Sequence, residues 1–335
     1  MIYEYASAEN IGDRKEQQDR VAVKAHAASE NIVLAVLADG MGGHMGGALA
    51  SQAVIDAVLP AFEKFNPGKD VPKDCLRTMI LAAHDKVAAA GQGYQRDPRS
   101  TAVVAMAGPE RIVWAHCGDS RLYLFRDGKF DKRTDDHSLV EILFQQGKIT
   151  EAEMLTHPER SRLFSSLGGD EPPAIVFGSL EDPEPSDTIL LASDGLWAYF
   201  EPFELAQLVS YRTLPDACDR LVALARKRAL GNGDNISVAL VRKPQPAGKR
   251  SLLGALFGGK ASAQPSPLED ARRYVQYVLT HIEGFDGSIL ADQAEECASP
   301  EEMVSLISGC ESALAERMGA EKSELFARRA YELLA

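Results

Sequence analysis

The sequence predicts an α+β fold of layered antiparallel sheets, and three observations carry that prediction. Strand-like runs come in a closely spaced series with Gly, Pro and Asp turns between them. Helical stretches come in pairs. Two strands end alike in an acid followed by glycine, Ile32–Ala38 at Asp39-Gly40 and Thr188–Ala192 at Ser193-Asp194-Gly195. Clustered strands with separate helix pairs indicate segregated layers rather than alternating βαβ units.

The first 27 residues alternate apolar and polar in two runs, IYEYASAE and RVAVKAH. Between them the polar loop Asn10–Asp19 carries Arg14 and Asp19. Seven apolar residues from Ile32 to Ala38 then run without interruption, short and β-branched enough to be a buried strand. That strand delivers Asp39 to a turn holding Gly40, Gly42, Gly43, Gly46 and Gly47, and helical spacing resumes at Ala48. The turn fits neither common phosphate cradle. Counting from Gly40, a dinucleotide fingerprint needs glycine at Met45, and a P-loop needs a Lys-Ser/Thr pair that does not follow. The glycines are better explained by tight backbone geometry beside the acid.

A second helical stretch, CLRTMILAAHDKVAAA, precedes three strand-like runs, TAVVAMA, RIVWAHC and RLYLFRD. Turns at Gly108-Pro109 and Gly118-Asp119 suggest that these form one antiparallel meander. Residues 134–173 are irregular and read as two short helices on a lid-like insertion. After the strand TILLA come helical runs around FELAQLV and DACDRLVALARKRAL, then the loop GNGDN with Asp234, then a last strand, NISVALV. Composition shifts at Pro244 into a Gly-, Pro-, Ser- and Ala-rich linker. Its GALFGGKA misses a P-loop because Ala261 stands where Ser or Thr is required. The basic-apolar patch KRSLLGALF (249–257) reads as plain linker, with contact to a membrane or partner as the alternative. From Leu268 onward the chain is helical, with apolar stripes at Leu268, Ala271, Val275, Val278 and Ile282 and at Val304, Ile307, Cys310 and Leu314. The expected organisation is a domain over 1–243, a linker over 244–267 and a helical region over 268–335.

A net charge of −13 over 335 residues argues against a nucleic-acid binder and against anionic membranes. With no export signal and no long apolar run, the expectation is a cytoplasmic protein without a membrane span. Five scattered cysteines without a CxxC pair fit free thiols in a reducing compartment.

The acids that stand out are Asp19, Asp39, Asp119, Asp194 and Asp234, each at a strand end or in a turn. Any one of them alone is an ordinary turn aspartate. Two matching strand-Asp-Gly endings in one domain point further, to oxygen ligands for a hard cation, Mg²⁺ or Mn²⁺. Zinc is not expected, because His44, His116, His137 and His157 lack ligand spacing. Cys117 reads as buried rather than nucleophilic, and Ser193 as structural because it lacks a G-x-S-x-G setting.

Seven segments in order resemble the metal-dependent protein phosphatases (type 2C serine/threonine phosphatases) in their compact bacterial form. They are RKEQQD (14–19), LADGMGGHMGGALAS (37–51), STA (100–102), AHCGDSRLYL (115–124), TDDHSLV (134–140), LLASDGLW (190–197) and GDNISVALV (233–241). The resemblance covers roughly residues 1–243. It implies a four-layer αββα sandwich of two antiparallel sheets flanked by helix pairs, with the C-terminal all-α region added. It also implies two tightly bound Mn²⁺ or Mg²⁺ ions and a third, weaker one. By the same resemblance Asp39 bridges two ions and the Gly40 carbonyl joins one of them. Asp194 and Asp234 complete the other's shell, Asp19 holds a metal-bound water, and Asp119 with Asp194 carries the third ion. Arg14 grips the substrate phosphate with its forked guanidinium.

Gln17 stands where the family usually has Asn, and Gln18 where animal members have a metal-binding Glu. Met41 stands where they carry a general-acid His, which leaves the leaving-group proton to metal-bound water. Arg99 replaces a usual Gly, a change expected to matter little. The implied activity is hydrolysis of phosphoserine and phosphothreonine on proteins by a metal-activated water, reversing a serine/threonine kinase. A pseudophosphatase is the rival from another class, and the intact aspartate set counts against it. A phosphatase acting on one small regulatory protein differs in substrate only. The helical region, 268–335, resembles nothing assignable and is expected to be an independent bundle that recruits a partner or substrate.

Overall fold

The apolar run Ile32–Ala38 forms the middle of β3 (Ser29–Met41), and it is unbroken because both faces of that strand are covered. In the computed structural model, residues 2–42, 45–91, 97–210, 213–244, 266–282 and 287–334 are described. The chain divides into two compact units, Met1–Arg250 and Ser251–Ala335.

In the first unit one sheet runs β2 (Asp19–His26), β3, β5 (Ala102–Ala107), β6 (Arg111–Cys117), β9 (Val176–Glu181), with β4 (Arg99–Ser100) paired to the end of β3. The other runs β1 (Glu4–Asn10), β11 (Ile236–Arg242), β10 (Thr188–Ala192), β7 (Arg121–Arg126), β8 (Lys129–Arg133). All the pairings are antiparallel. Leu34 and Val36 of β3 point outward into a core with Val54, Val58 and Phe62 of α1 (Met45–Glu63) and Ile80 of α2 (Pro72–Ala90). Val33, Ala35 and Leu37 point the other way, against Leu122, Leu124, Ile189 and Leu191 of the second sheet. Side chains alternate across a strand, so one strand feeds two cores. Two helices, α6 (Pro202–Val209) and α7 (Leu214–Arg228), lie on the second sheet, α6 against β8 and α7 against β1 and β11. The order of layers is αββα.

One expectation needs correction. β5 and β6 pair as a hairpin, but β7 does not continue that meander. It crosses to the other sheet and pairs with β10 and β8. Gly118 makes the crossing at a φ of +109°, and a Cβ there would lie 2.6 Å from Cγ2 of Thr101. The crossing turn therefore requires glycine, and it places Asp119 between the sheets' ends. In addition, α1 begins at Met45, three residues before the expected start.

The irregular stretch 134–173 does carry two short helices, α3 (Leu139–Gln145), capped by Ser138, and α4 (Glu151–Thr156), with a Thr150–Glu153 capping box. The linker patch at 249–257 lies outside the described residues.

The second unit contains α8 (Pro267–His281), α9 (Ser288–Glu296), α10 (Pro300–Met318) and α11 (Ala320–Leu334). Ser266 and Ser299 cap α8 and α10 by accepting from the Glu269 and Glu302 amides. The buried faces are turned slightly from those expected. In α8 Ala271, Tyr274, Val275 and Leu279 are buried, while Leu268, Val278 and Ile282 are only half-buried. In α10 Met303 takes the inside position expected of Val304, which is exposed. Tyr274 explains the first shift, since its ring stacks on Phe326 of α11 at 5.8 Å. Among the described residues no helix is long and apolar enough to cross a membrane.

Candidate metal centre

Antiparallel register sets Asp19 of β2 directly opposite Asp39 of β3. Asp194 follows β10 as the first residue of α5 (Asp194–Trp197), and Asp234 sits two residues before β11. The charges of Asp194 and Asp234 act on both Asp19 and Asp39, and those of Asp194 and Asp39 act on Asp119. All five expected aspartates thus meet at one end of the sandwich. Asp39, Asp119, Asp194 and Asp234 are half-buried, whereas Asp19 is only 1% exposed and lies behind them.

The backbone around each acid is tightly held. The Asp39 amide donates to Thr101 Oγ1 at 2.9 Å, and its carbonyl accepts from the Thr101 amide at 2.8 Å and from Ser100 Oγ at 3.1 Å. Behind it, Gly40 packs backbone to backbone on Gly47, where a Cβ would fall 1.9 Å from the Gly47 oxygen. That contact, rather than a phosphate, accounts for the glycine-rich turn. His44 of that turn lies outside the described residues. Arg14 Nη2 donates to Asp234 Oδ2 at 2.6 Å, and its side chain is 60% exposed, leaving guanidinium donors open to solvent at the rim.

Electrostatics oppose this arrangement unless a cation joins it. Burial pushes the Asp19 carboxyl up to about 8 against the neighbouring Ser193 hydroxyl, and Asp194 and Asp234 add to the rise. Burial and then the Asp234 charge push Asp194 up to about 6. Asp39 and Asp119 are raised too, by burial and then by the other carboxylates. Asp19 Oδ2 is buried with no hydrogen-bond partner, a costly state for a carboxylate oxygen. An all-oxygen, mutually repelling set with an orphaned oxygen fits Mg²⁺ or Mn²⁺. Among the described residues no three His, Cys, Asp or Glu side chains close around a single point. Hard ions keep several waters and take one or two carboxylates each, whereas a zinc site would draw on His or Cys, which this all-oxygen set lacks.

The histidines are elsewhere engaged. His116 and His137 lie with rings 4.8 Å apart, and burial holds both below the usual imidazole range, His137 at about 4. His116 Nε2 donates to the Asp135 carbonyl, and His137 Nδ1 accepts from the Gly118 amide. Cys117 is buried, its thiol pushed up to about 11 by burial, so it is no nucleophile. Ser193 Oγ accepts from the Ser237 amide at 2.9 Å, a structural role.

The sequence profile described as Protein phosphatase 2C matches residues 8–232, more than half of the chain. The chain belongs to the protein phosphatase 2C family. Its enzyme class is protein-serine/threonine phosphatase, a phosphoric monoester hydrolase. It is 31% identical over 226 residues to the serine/threonine phosphatase stp of Listeria monocytogenes serovar 1/2a, covering 64% of this chain and 86% of that protein. The serine/threonine phosphatase PstP/Ppp of Mycobacterium tuberculosis superposes with a TM-score of 0.63 at 30% identity, over 73% of this chain and 100% of that one. A structure of the PstP catalytic domain, described as in complex with two manganese ions, gives a TM-score of 0.60 at 27% identity, over 73% of this chain and 99% of that one. The profile match ends at Asn232, so Asp234 rests on its geometry rather than on the match.

Several residues in the family's segments act by positioning, and sequence reasoning gave them no role. Asn235 is the chief one. Its Oδ1 accepts from the Gln18 amide at 2.7 Å, and its Nδ2 donates to the carbonyls of Ile11 and Glu16 at 2.9 and 3.0 Å. One buried amide thereby holds the whole loop that carries Arg14. Arg121 forms a fork on Asp136 with both bonds at 2.8 Å and lies 3.5 Å over the Trp197 ring. Trp197 Nε1 in turn donates to the Asp119 carbonyl at 3.0 Å. Asp136 of TDDHSLV is thus a partner for Arg121. Arg99 is also consequential, against expectation. Its Nη1 donates to the Gly168 carbonyl at 2.8 Å and its Nε and Nη2 to Asp97, which ties the end of the insertion to β4. A Cβ on Gly169 would fall 2.1 Å from that guanidinium.

Proposed function

We propose that this phosphatase removes phosphate from phosphoserine and phosphothreonine in proteins phosphorylated by a serine/threonine kinase, with Asp39, the Gly40 carbonyl, Asp194 and Asp234 holding two Mn²⁺ or Mg²⁺ ions. Asp19 supports them from behind, and Asp119 with Asp194 takes a third, weaker ion. Bound there, the ions lower the pKa of a water toward about 7 and neutralise phosphoryl oxygens. Arg14 binds the phosphate at the rim, held there by Asp234. Thr101 and Ser100 fix the Asp39 backbone, so the carboxylate stays put as charge develops.

The observation that carries the reading is the meeting of five aspartates, four of which (Asp19, Asp39, Asp119 and Asp194) have their affinity for protons raised by burial and then by the neighbouring carboxylates. No protein nucleophile is needed, and Ser193 and Cys117 are both otherwise engaged. The helical unit over 268–335, which lies outside the family match and has its own buried core, is left for recruiting a kinase-linked partner or substrate. The test is hydrolysis of a phosphothreonine peptide and of p-nitrophenyl phosphate with and without added Mn²⁺ or Mg²⁺. Activity should need the ion and stop with a chelator. Full activity in metal-stripped protein would overturn the assignment.

A further inference from the structure

A cavity of about 460 Å³ opens between Met41 and Arg99 on one side and Arg162, Phe164, Ser166 and Glu171 on the other. Its size is that of a small-ligand site. Met41 directly follows the Asp39-Gly40 pair and is the register partner of Arg99, so one wall of the cavity is carried by the same strand end as Asp39. The far wall belongs to the insertion, but it is not a loose loop. Ser100 and Leu167 exchange backbone bonds at 3.1 and 2.7 Å. The Leu139 amide donates to the Arg162 carbonyl at 3.0 Å, and the Phe164 amide to the His137 carbonyl at 2.9 Å. Arg99 and His84 secure Gly168 at its carbonyl and amide.

Between those fixed points the backbone is left open. Among the described residues the amide and carbonyl groups of Ser165 and Ser166 have no hydrogen-bond partner, although both residues are half-buried. Both residues line the cavity, which leaves these backbone groups available to a ligand. Phe164 stands beside them 57% exposed, an unusual exposure for a large ring, with its back against His137 at 5.3 Å. A fixed edge with free amides and carbonyls, plus an exposed ring, is the pattern by which proteins add an extended peptide as a strand.

Building on the phosphatase reading, we propose that this groove seats the extended segment flanking the phosphorylated residue of a protein substrate. The backbone at Ser165–Ser166 pairs with the substrate backbone, and Phe164 packs under a flanking side chain. The occupant is the substrate chain because Met41, two residues after Asp39, forms one wall of the groove. Arg99 acts as a positioning residue that holds the wall at its working distance.

The experiment uses the full chain in Mn²⁺ with p-nitrophenyl phosphate, free phosphothreonine and a phosphothreonine heptapeptide. For the unaltered protein kcat/KM should rise by about tenfold or more from phosphothreonine to the heptapeptide, the worth of one or two backbone hydrogen bonds with some apolar burial. Phe164→Ala removes the platform, and Ser166→Trp fills the groove. Phe164 is exposed and Ser166 lines the open cavity, and unchanged circular dichroism would certify folding. Each should reduce the heptapeptide's advantage over phosphothreonine by about fivefold or more, mainly through KM. Arg99→Gly should do the same, with partial rescue by Arg99→Lys. An advantage equal in all variants, or a loss shared equally by p-nitrophenyl phosphate, would overturn the groove assignment. No turnover of any substrate in Mn²⁺ would instead remove the phosphatase reading, and the groove with it.

Discussion

At the residue scale the centre is a set of carboxylates that the fold forces together and that cannot all be charged without a cation. Asp39 lies nearest the middle of it, influenced by Asp19, Asp194 and Asp234 alike. Asp39→Asn should cut kcat by about 10³-fold or more, some 4 kcal/mol of barrier, with a normal fold. A loss of only a few fold in a steady-state assay would make Asp39 a turn residue. Arg14→Ala should chiefly raise KM for phosphopeptides, because an exposed rim guanidinium meets phosphate in ground and transition states alike. A collapse of kcat at fixed KM would give Arg14 another role. The raised acids also make a stability prediction for metal-free protein. An unfolded aspartate titrates near 3.9, whereas Asp194 and Asp19 titrate at about 6 and about 8 in the fold. The folded chain therefore holds more protons between those values, and its stability falls as pH rises from about 4 through 8. Thermal melts should show metal-free protein losing stability relative to Asp19→Asn between pH 6 and pH 8, and added Mn²⁺ should raise Tm more at pH 8. A difference between the two proteins that does not change with pH would refute this.

At the element scale the acids are placed by strand ends and by the loops that brace them. Asn235 holds the Ile11–Gln18 loop through three partly buried bonds. Asn235→Ala should cost about 2–4 kcal/mol, from three bonds of ordinary net strength, and should raise KM as Arg14 loses its support. Urea denaturation and phosphopeptide kinetics would measure both, and a stability change below the scatter of the urea curves would contradict the bracing role. The acids themselves were legible because Asp at the end of an unbroken apolar run, twice over, is a strong local pattern. Their braces were not. Asn235, Arg121 and Arg99 act on segments far away in sequence, and no local pattern tells a bracing side chain from a solvated one. The strands left unread have local causes too. KFDKR of β8 is an exposed edge with no apolar alternation. VFGSLE of β9 is broken by Gly178, which lies against the Trp114 ring. In α10 the displaced stripe reflects Met303, whose unbranched side chain takes the inside position in place of Val304.

At the scale of the whole molecule, the layers were legible and the strand order was not. Covered and half-covered strands differ in local pattern, but which sheet β7 joins depends on a crossing at Gly118 and on partners 60 or more residues away, such as Thr188 opposite Phe125. The division of the chain is a matter of which cores close by themselves. The sandwich buries its apolar faces between its own sheets and helices. Within Pro267–Leu334 Ala271, Leu279, Ile307, Leu314 and Phe326 are buried, and Arg272 reaches the carbonyls of Ala294 and Cys297 at 3.1 and 2.6 Å. Every aspartate of the centre lies before Pro244. Lys243 is still part of the sandwich, with backbone bonds to Asp187 and Ser186 at 2.9 and 2.8 Å. A chain stopped after Pro244 keeps those bonds, both cores of the sandwich and every aspartate of the centre, and should fold and turn over p-nitrophenyl phosphate within about twofold of the full chain. Its rate on a phosphoprotein should fall further if the helices recruit the substrate. Side-by-side kinetics on the two substrates would separate these outcomes. A shortened chain that is insoluble, or inactive on the aryl phosphate, would make the helices part of the catalytic fold and move the boundary beyond Pro244.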